Sequence, residues 1–198
     1  MKRVIGIIMI LAGICLIITI NYTKYKVDKN QKEMINAFEN IIKDEADNEK
    51  SLNETGIKAS ENKDAMNTKD TIGVIAIPKI NLKVAIAEGV DNETLKYAVG
   101  HFKGTPLPDN KGNFCIAGHR SYAYGEFFNR LDELQIDDEI TVETKVRQYK
   151  YRVYEKKVVE PSEISVLDNT KDPIITLVTC TPVRIATHRL IIKGKLEE

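Results

Sequence analysis

The chain reads as a mostly β protein, a closed barrel of short strands standing behind an apolar amino-terminal helix and a polar stalk. Three observations predict this. β-Branched and aromatic runs recur at short intervals from Thr71 onward, with turn residues between them. Only short helical pieces fit between these runs, which argues for a barrel and against a βαβ sheet. Ahead of them, Val4 to Ile20 is an unbroken apolar run without a charge.

That first run follows Lys2 and Arg3 and is followed by Asn21, Tyr22, Lys24, Tyr25 and Lys26. At about 1.5 Å per helical residue it spans roughly 26 Å, close to the ~30 Å hydrocarbon core of a bilayer. Ile17-Ile18-Thr19-Ile20 offers no small-x-small cleavage site, and Cys15 lies mid-run with Ile14 between it and Ala12-Gly13. The segment is therefore expected to be an uncleaved, single-pass anchor over residues 1–26. The basic pair holds the amino terminus in the cytoplasm and the rest lies outside the cell.

Residues 27–70 shift to Lys, Asn, Asp and Glu, with no proline and only Gly56. Met34, Ile35, Phe38, Ile41 and Ile42 recur at helical spacing, which predicts a short amphipathic helix over Gln31–Asp44. Ala46–Asp70 reads as a flexible spacer.

The main domain spans residues 71–198. Strands are expected at Ile72–Pro78, Leu82–Ala87, Asn113–Gly118, Glu139–Glu143, Arg147–Val159, Ile174–Cys180 and Arg189–Lys195. The fourth and fifth of these form a hairpin, and seven or eight strands at this spacing suggest a closed or nearly closed barrel. Helical pieces fit at Asn92–Ala98, Gly125–Leu134 and Ser162–Asn169. Lys+Arg and Asp+Glu both number 29, so no electrostatic pull toward nucleic acid is present, and none is expected as a partner. The Lys-, Asn- and Ile-rich composition hints at a low-GC Gram-positive bacterium.

Three polar residues sit at strand ends, where a barrel can gather distant sequence. His119 closes the strand from Asn113, Cys180 closes the strand from Ile174, and Arg189 opens the last strand. A thiol, an imidazole and a guanidinium are the parts acyl transfer needs: nucleophile, proton shuttle and oxyanion partner. From the residues alone a packing role for Cys180 and a structural role for the Gly118-His119-Arg120 turn stay open. Arg184 competes for the arginine role, and His101 and His188 compete for the imidazole. Cys115 shares strand parity with Ala117 and His119 and reads as a small core residue.

Motifs in order narrow these choices. Thr176-Leu177-Val178-Thr179-Cys180 resembles the TLxTC signature of the sortases. Ala117-Gly118-His119-Arg120 resembles their histidine turn, and Thr187 to Gly194 is similar to their arginine-bearing last strand. Ile77-Pro78-Lys79-Ile80-Asn81-Leu82, Gly100-His101-Phe102 and Phe127-Phe128-Asn129-Arg130-Leu131 also match, and the resemblance covers about Thr71 to Leu196. It implies an eight-stranded sortase barrel with Cys180 as nucleophile, His119 as general acid and Arg189 holding substrate backbone and oxyanion. Weaker assignments follow for the Thr179 hydroxyl and the Thr181 N–H as substrate contacts.

The implied reaction cleaves an LPxTG-like sorting signal of a secreted protein after its threonine. The resulting thioacyl chain passes to an amine of peptidoglycan precursor (lipid II). Pilin polymerisation and plain hydrolysis, as by a surface cysteine protease, are the alternatives. The pattern is most like class D, with class E or a lidless class C behind it. No cofactor is expected. Some members bind calcium, but Asp132, Glu133, Asp137, Asp138 and Glu139 match no EF-hand spacing and read as a solvated turn.

Overall fold

A computed structural model describes residues 2–48, 71–108, 110–120 and 127–197. Helix α1, Lys2–Asn48, is one element of 47 residues. It absorbs the apolar run and the expected Gln31–Asp44 helix into a single rod. The reason is local, because no glycine or proline occurs between Ile14 and Asn48 to break it. Among the described residues α1 is the one helix long and apolar enough to cross a membrane.

Residues 27–39 of α1, the start of the segment expected as a polar stalk over 27–70, pack against the barrel. Val27, Met34 and Phe38 line one side of α1 and are all buried. Met34 joins Ala85, Ala87 and Ala98 in a small apolar cluster. Gln31 Oε1 accepts from the Ala85 N–H at 3.1 Å, and Glu39 pairs with Lys83 at 2.8 Å. The expected spacer beyond it, residues 49–70, lies outside the described residues.

The domain is a closed barrel of strands in the order β1-β2-β3-β4-β7-β8-β6-β5. The strands are β1 Thr71–Ile77, β2 Leu82–Glu88, β3 Val99–His101, β4 Asn113–Ala117, β5 Glu139–Glu143, β6 Gln148–Val159, β7 Ile174–Thr181 and β8 His188–Leu196. The β2/β3 and β4/β7 pairs are parallel and the remaining neighbours antiparallel. Strand β3 was not legible in the sequence. Its 3 residues are too few for alternation to show, and they follow directly on helix α2, Asn92–Tyr97.

Alternation fills the interior with Ile75, Ile77, Ile86, Phe114, Ile116, Val142, Tyr151, Ile175, Leu177 and Ile192. Two expected helices shrink to 3-10 turns, Leu131–Glu133 and Ile164–Leu167. The start of the first expectation, residues 125–126, lies outside the described residues. In the second, the Asn169 side chain leaves the helical path to accept from the Asn113 N–H and from the Thr170 N–H.

Candidate active site

The parallel pair β4/β7 forms the floor of the site. Because Phe114, Ile116, Ile175 and Leu177 point into the barrel, Cys115, Ala117, Thr176, Val178 and Cys180 point out of it. The lower part of this outer face is sealed by the connection from β6 to β7. Asn113 Nδ2 donates to the Val166 and Asp168 carbonyls, and the Thr176 hydroxyl donates to Asn113 Oδ1 at 2.6 Å. Toward the carboxyl ends of both strands Ala117, Val178, Cys180 and His119 are all partly exposed among the described residues.

Cys180 stands directly across from Arg189 in the β7/β8 ladder. Cross-strand partners project from the same face, with Cβ atoms ~5 Å apart. The Arg189 guanidinium is held through Nη1 by the carbonyls of Ala186 (3.2 Å) and His188 (3.0 Å), above the turn joining the two strands. That turn contains a cis Thr181–Pro182 bond and positive φ at Arg184 and Ala186. Arg184 is exposed on it, away from the ladder position opposite Cys180.

His119 reaches the same face from the adjoining strand. The Gly118 N–H donates to the Val178 carbonyl at 3.1 Å, which carries the ladder one residue past β4, and the His119 carbonyl accepts from the Phe128 N–H at 3.3 Å. Gly118 is required by close approach, since a Cβ there would lie 2.6 Å from the Phe128 ring. Partial burial disfavours the imidazolium and lowers the His119 pKa from the ordinary histidine value.

The other two histidines have partners elsewhere. His101 is buried on β3 with Nδ1 2.8 Å from Glu88 and Nε2 bonded to Thr105, and it packs on Phe114. His188 pairs with Glu160 at 3.1 Å.

Thr179 and Thr181 part company. Thr179 points inward, is 2% exposed and donates its hydroxyl to the Gly118 carbonyl at 2.8 Å. Its side chain thus steadies the histidine turn, and the expected substrate contact through that hydroxyl is corrected by its burial. The Thr181 hydroxyl accepts from Arg120 Nη1 at 2.8 Å.

In the sequence Arg120 reads only as part of the histidine turn. Its side chain is 7% exposed and also meets Asp132 at 2.8 Å and the Asn129 carbonyl at 3.3 Å. One guanidinium thus ties the histidine turn, the segment after it and the residue following Cys180. No local signal marks this, because its partners are far apart in sequence.

The acidic stretch is engaged by cations and backbone. Asp132 meets Arg120, Glu133 meets Arg130, Glu139 meets Lys150, and Asp138 accepts from the Gln135 N–H. Cys115, by contrast with Cys180, is fully buried, and burial pushes its thiol up to about 12.

Comparison with known proteins places this geometry. The Sortase domain model matches residues 75–197. Sortase D of Bacillus subtilis is 30% identical over 98% of this chain and 98% of its own length. A Clostridium perfringens Sortase D5 transpeptidase superposes with a TM-score of 0.69 at 33% identity, over 86% of this chain and 99% of that one. Sortase E1 of Streptomyces coelicolor, solved with a tripeptide in its active site, gives a TM-score of 0.60 at 35% identity, over 65% of this chain and 89% of that one. The protein belongs to the sortase family of transpeptidases, and class D is the subclass it most resembles.

Proposed function

We propose that this protein is a membrane-anchored cysteine transpeptidase that joins secreted proteins to the cell wall. The observation that carries the reading is the ladder register opposing Cys180 to Arg189, with His119 two residues past the adjoining strand β4 and, like Cys180, partly exposed. An extended peptide fits the floor of Ala117 and Val178, with exposed Ile164 and Ile185 on the flanking loops to meet its apolar side chains.

On this reading the Cys180 thiolate attacks the carbonyl carbon of the threonine in an LPxTG-like signal. Arg189 and the Thr181 N–H face the oxygen that becomes negative. His119 gives its proton to the departing glycine amine as the C–N bond breaks, leaving a thioester and a neutral imidazole. The incoming amine of peptidoglycan precursor then attacks the thioester. His119 takes its proton, an amide forms, and the Cys180 sulfur leaves as thiolate. No metal or cofactor enters these steps. The E1 relative with a tripeptide in its site supports peptide binding at the matching groove. Lys2 and Arg3 ahead of the apolar run support a cytoplasmic amino terminus with the barrel outside.

The test uses the full chain in nanodiscs with quenched LPxTG peptides, with and without a peptidoglycan-type amine, and mass spectrometry of products. Transfer to the amine is expected, and Cys180→Ala should lower it by ~10⁴-fold or more, as loss of a nucleophile does. Hydrolysis alone would favour the protease alternative, and transfer only to a pilin lysine would favour polymerisation. Turnover that survives Cys180→Ala would sink the assignment.

A further inference from the structure

The contacts of α1 orient the barrel over the bilayer. Gln31 meets Ala85 while Glu39, two turns later, meets Lys83, so ascending the helix descends β2 toward its start. Toward the anchor, therefore, α1 leads to the carboxyl end of β2. That end of the barrel also holds the amino ends of β1, β4 and β7 and the β5–β6 hairpin. Cys180 lies at the opposite end.

Distances place this lower end at the lipid. Gln31 stands about 16 Å along the helix from Ile20, where the apolar run ends. Ala85 stands about 10 Å along β2 from Glu88. The remaining gap of roughly 6 Å is the thickness of one headgroup layer. Loops beyond Glu88 fill it, and any tilt of α1 against β2 shortens it.

The chemistry of that end suits lipid. Val146 at the tip of the β5–β6 hairpin is 71% exposed, and Leu107 on the β3–β4 loop is 38% exposed. Both border a cavity of about 280 Å³ that Ile72, Ile86, Phe114 and Val142 also line. Exposed Lys103 and Lys111 share the β3–β4 loop with Leu107, and exposed Lys145 and Arg147 flank Val146, Arg147 lying over the Tyr149 ring. Nearby Glu88, Asp172 and Glu197 are drawn to His101, Lys195 and Arg152, while Asp91 caps α2 and Glu93 is exposed beside it.

The geometry points to this barrel end as a bilayer-contact surface, with Val146 and Leu107 seated at the headgroup–acyl boundary and the four cations on lipid phosphates. It rests on the anchored reading above. The consequence is that Cys180 is held away from the lipid by the run of β7, about 20 Å from Ile174 to Cys180. A sorting signal must then be lifted clear of the membrane to reach it.

The chain has no tryptophan, so single-tryptophan variants of the full protein report depth without background. Leu11→Trp, Val146→Trp and Ile185→Trp would be placed in nanodiscs of phosphatidylglycerol and phosphatidylcholine, without bromine, with bromine high on the acyl chains, and with bromine near their ends, the last read for Leu11→Trp. Quenching of about two-fold is expected for Val146→Trp, with little for Ile185→Trp, which shares any intrinsic preference of tryptophan for interfaces. Quenched Leu11→Trp beside unquenched Val146→Trp overturns the contact surface and leaves the anchor standing. Equal quenching of Val146→Trp and Ile185→Trp overturns it as well. Unquenched Leu11→Trp would instead remove the anchored reading beneath it.

Discussion

Cys115 and Cys180 project from the same outer face of neighbouring parallel strands, yet their surroundings make them different chemical groups. Cys115 is fully buried beneath the β6–β7 connection, bonded to the Asn113 carbonyl, with its thiol pushed up to about 12. Cys180, four register steps past Thr176, the partner of Cys115, is partly exposed and faces Arg189 across the ladder. The strand supplies only direction. What covers the strand decides whether a thiol packs or reacts.

The comparison is broken most severely by removing what surrounds Cys180. His119→Ala should lower transfer by ~10²- to 10⁴-fold with Cys180 intact, read as kcat/KM on a fluorogenic sorting peptide. Wild-type His119 should titrate below the ordinary ~6.5 when followed by proton NMR. Burial makes the folded state bind its proton later than the unfolded chain does. Stability from neutral His119 is therefore complete above about 6.5 and is lost as pH falls through the lower folded value. A histidine titrating above that range would refute the burial argument.

A subtler break is to the Arg120 clasp. Arg120→Leu should cost ~1–3 kcal/mol of stability by leaving the Asn129 carbonyl and Thr181 hydroxyl short of a donor. It should also lower kcat by ~10-fold or more with little change in KM, because the two strand ends lose their common tie. Arg120→Lys should recover only part of kcat, since an ammonium lacks the planar fork that meets Asp132, Asn129 and Thr181 together. Unchanged kcat at full folding would remove the positioning role.

The smallest effect sharpens the contrast. Cys115→Ala should cost only ~1–2 kcal/mol, as a small cavity does, and leave transfer unaltered. In native protein at neutral pH, iodoacetamide should modify Cys180 and spare Cys115, as peptide mass mapping would show. Equal modification of both would mean that the β6–β7 cover opens readily.

Local pattern determined more here than is usual for a barrel. Alternating β-branched runs separated by turn residues mark seven strands, because strand periodicity is a property of neighbours in sequence. Cys180, His119 and Arg189, by contrast, are preferred over Arg184, His101 and His188 only through the resemblance of ordered motifs to the sortases. The apolar run of α1 is legible for the same reason. Tertiary structure alone decided the rest, and in each instance the partners are remote along the chain. Strand β3 exists because β2 and β4 each lend it hydrogen bonds. Residues 27–39 became a docked helix because β2 offered an unpaired N–H at Ala85 and small residues against which Met34 could pack. Thr179 turned inward to Gly118, Arg120 closed on Thr181, and Cys115 was sealed by Leu167 and its neighbours, none of which composition or spacing encodes. Periodicity can say which face a side chain takes, and only packing says whether water, substrate or another segment lies against it.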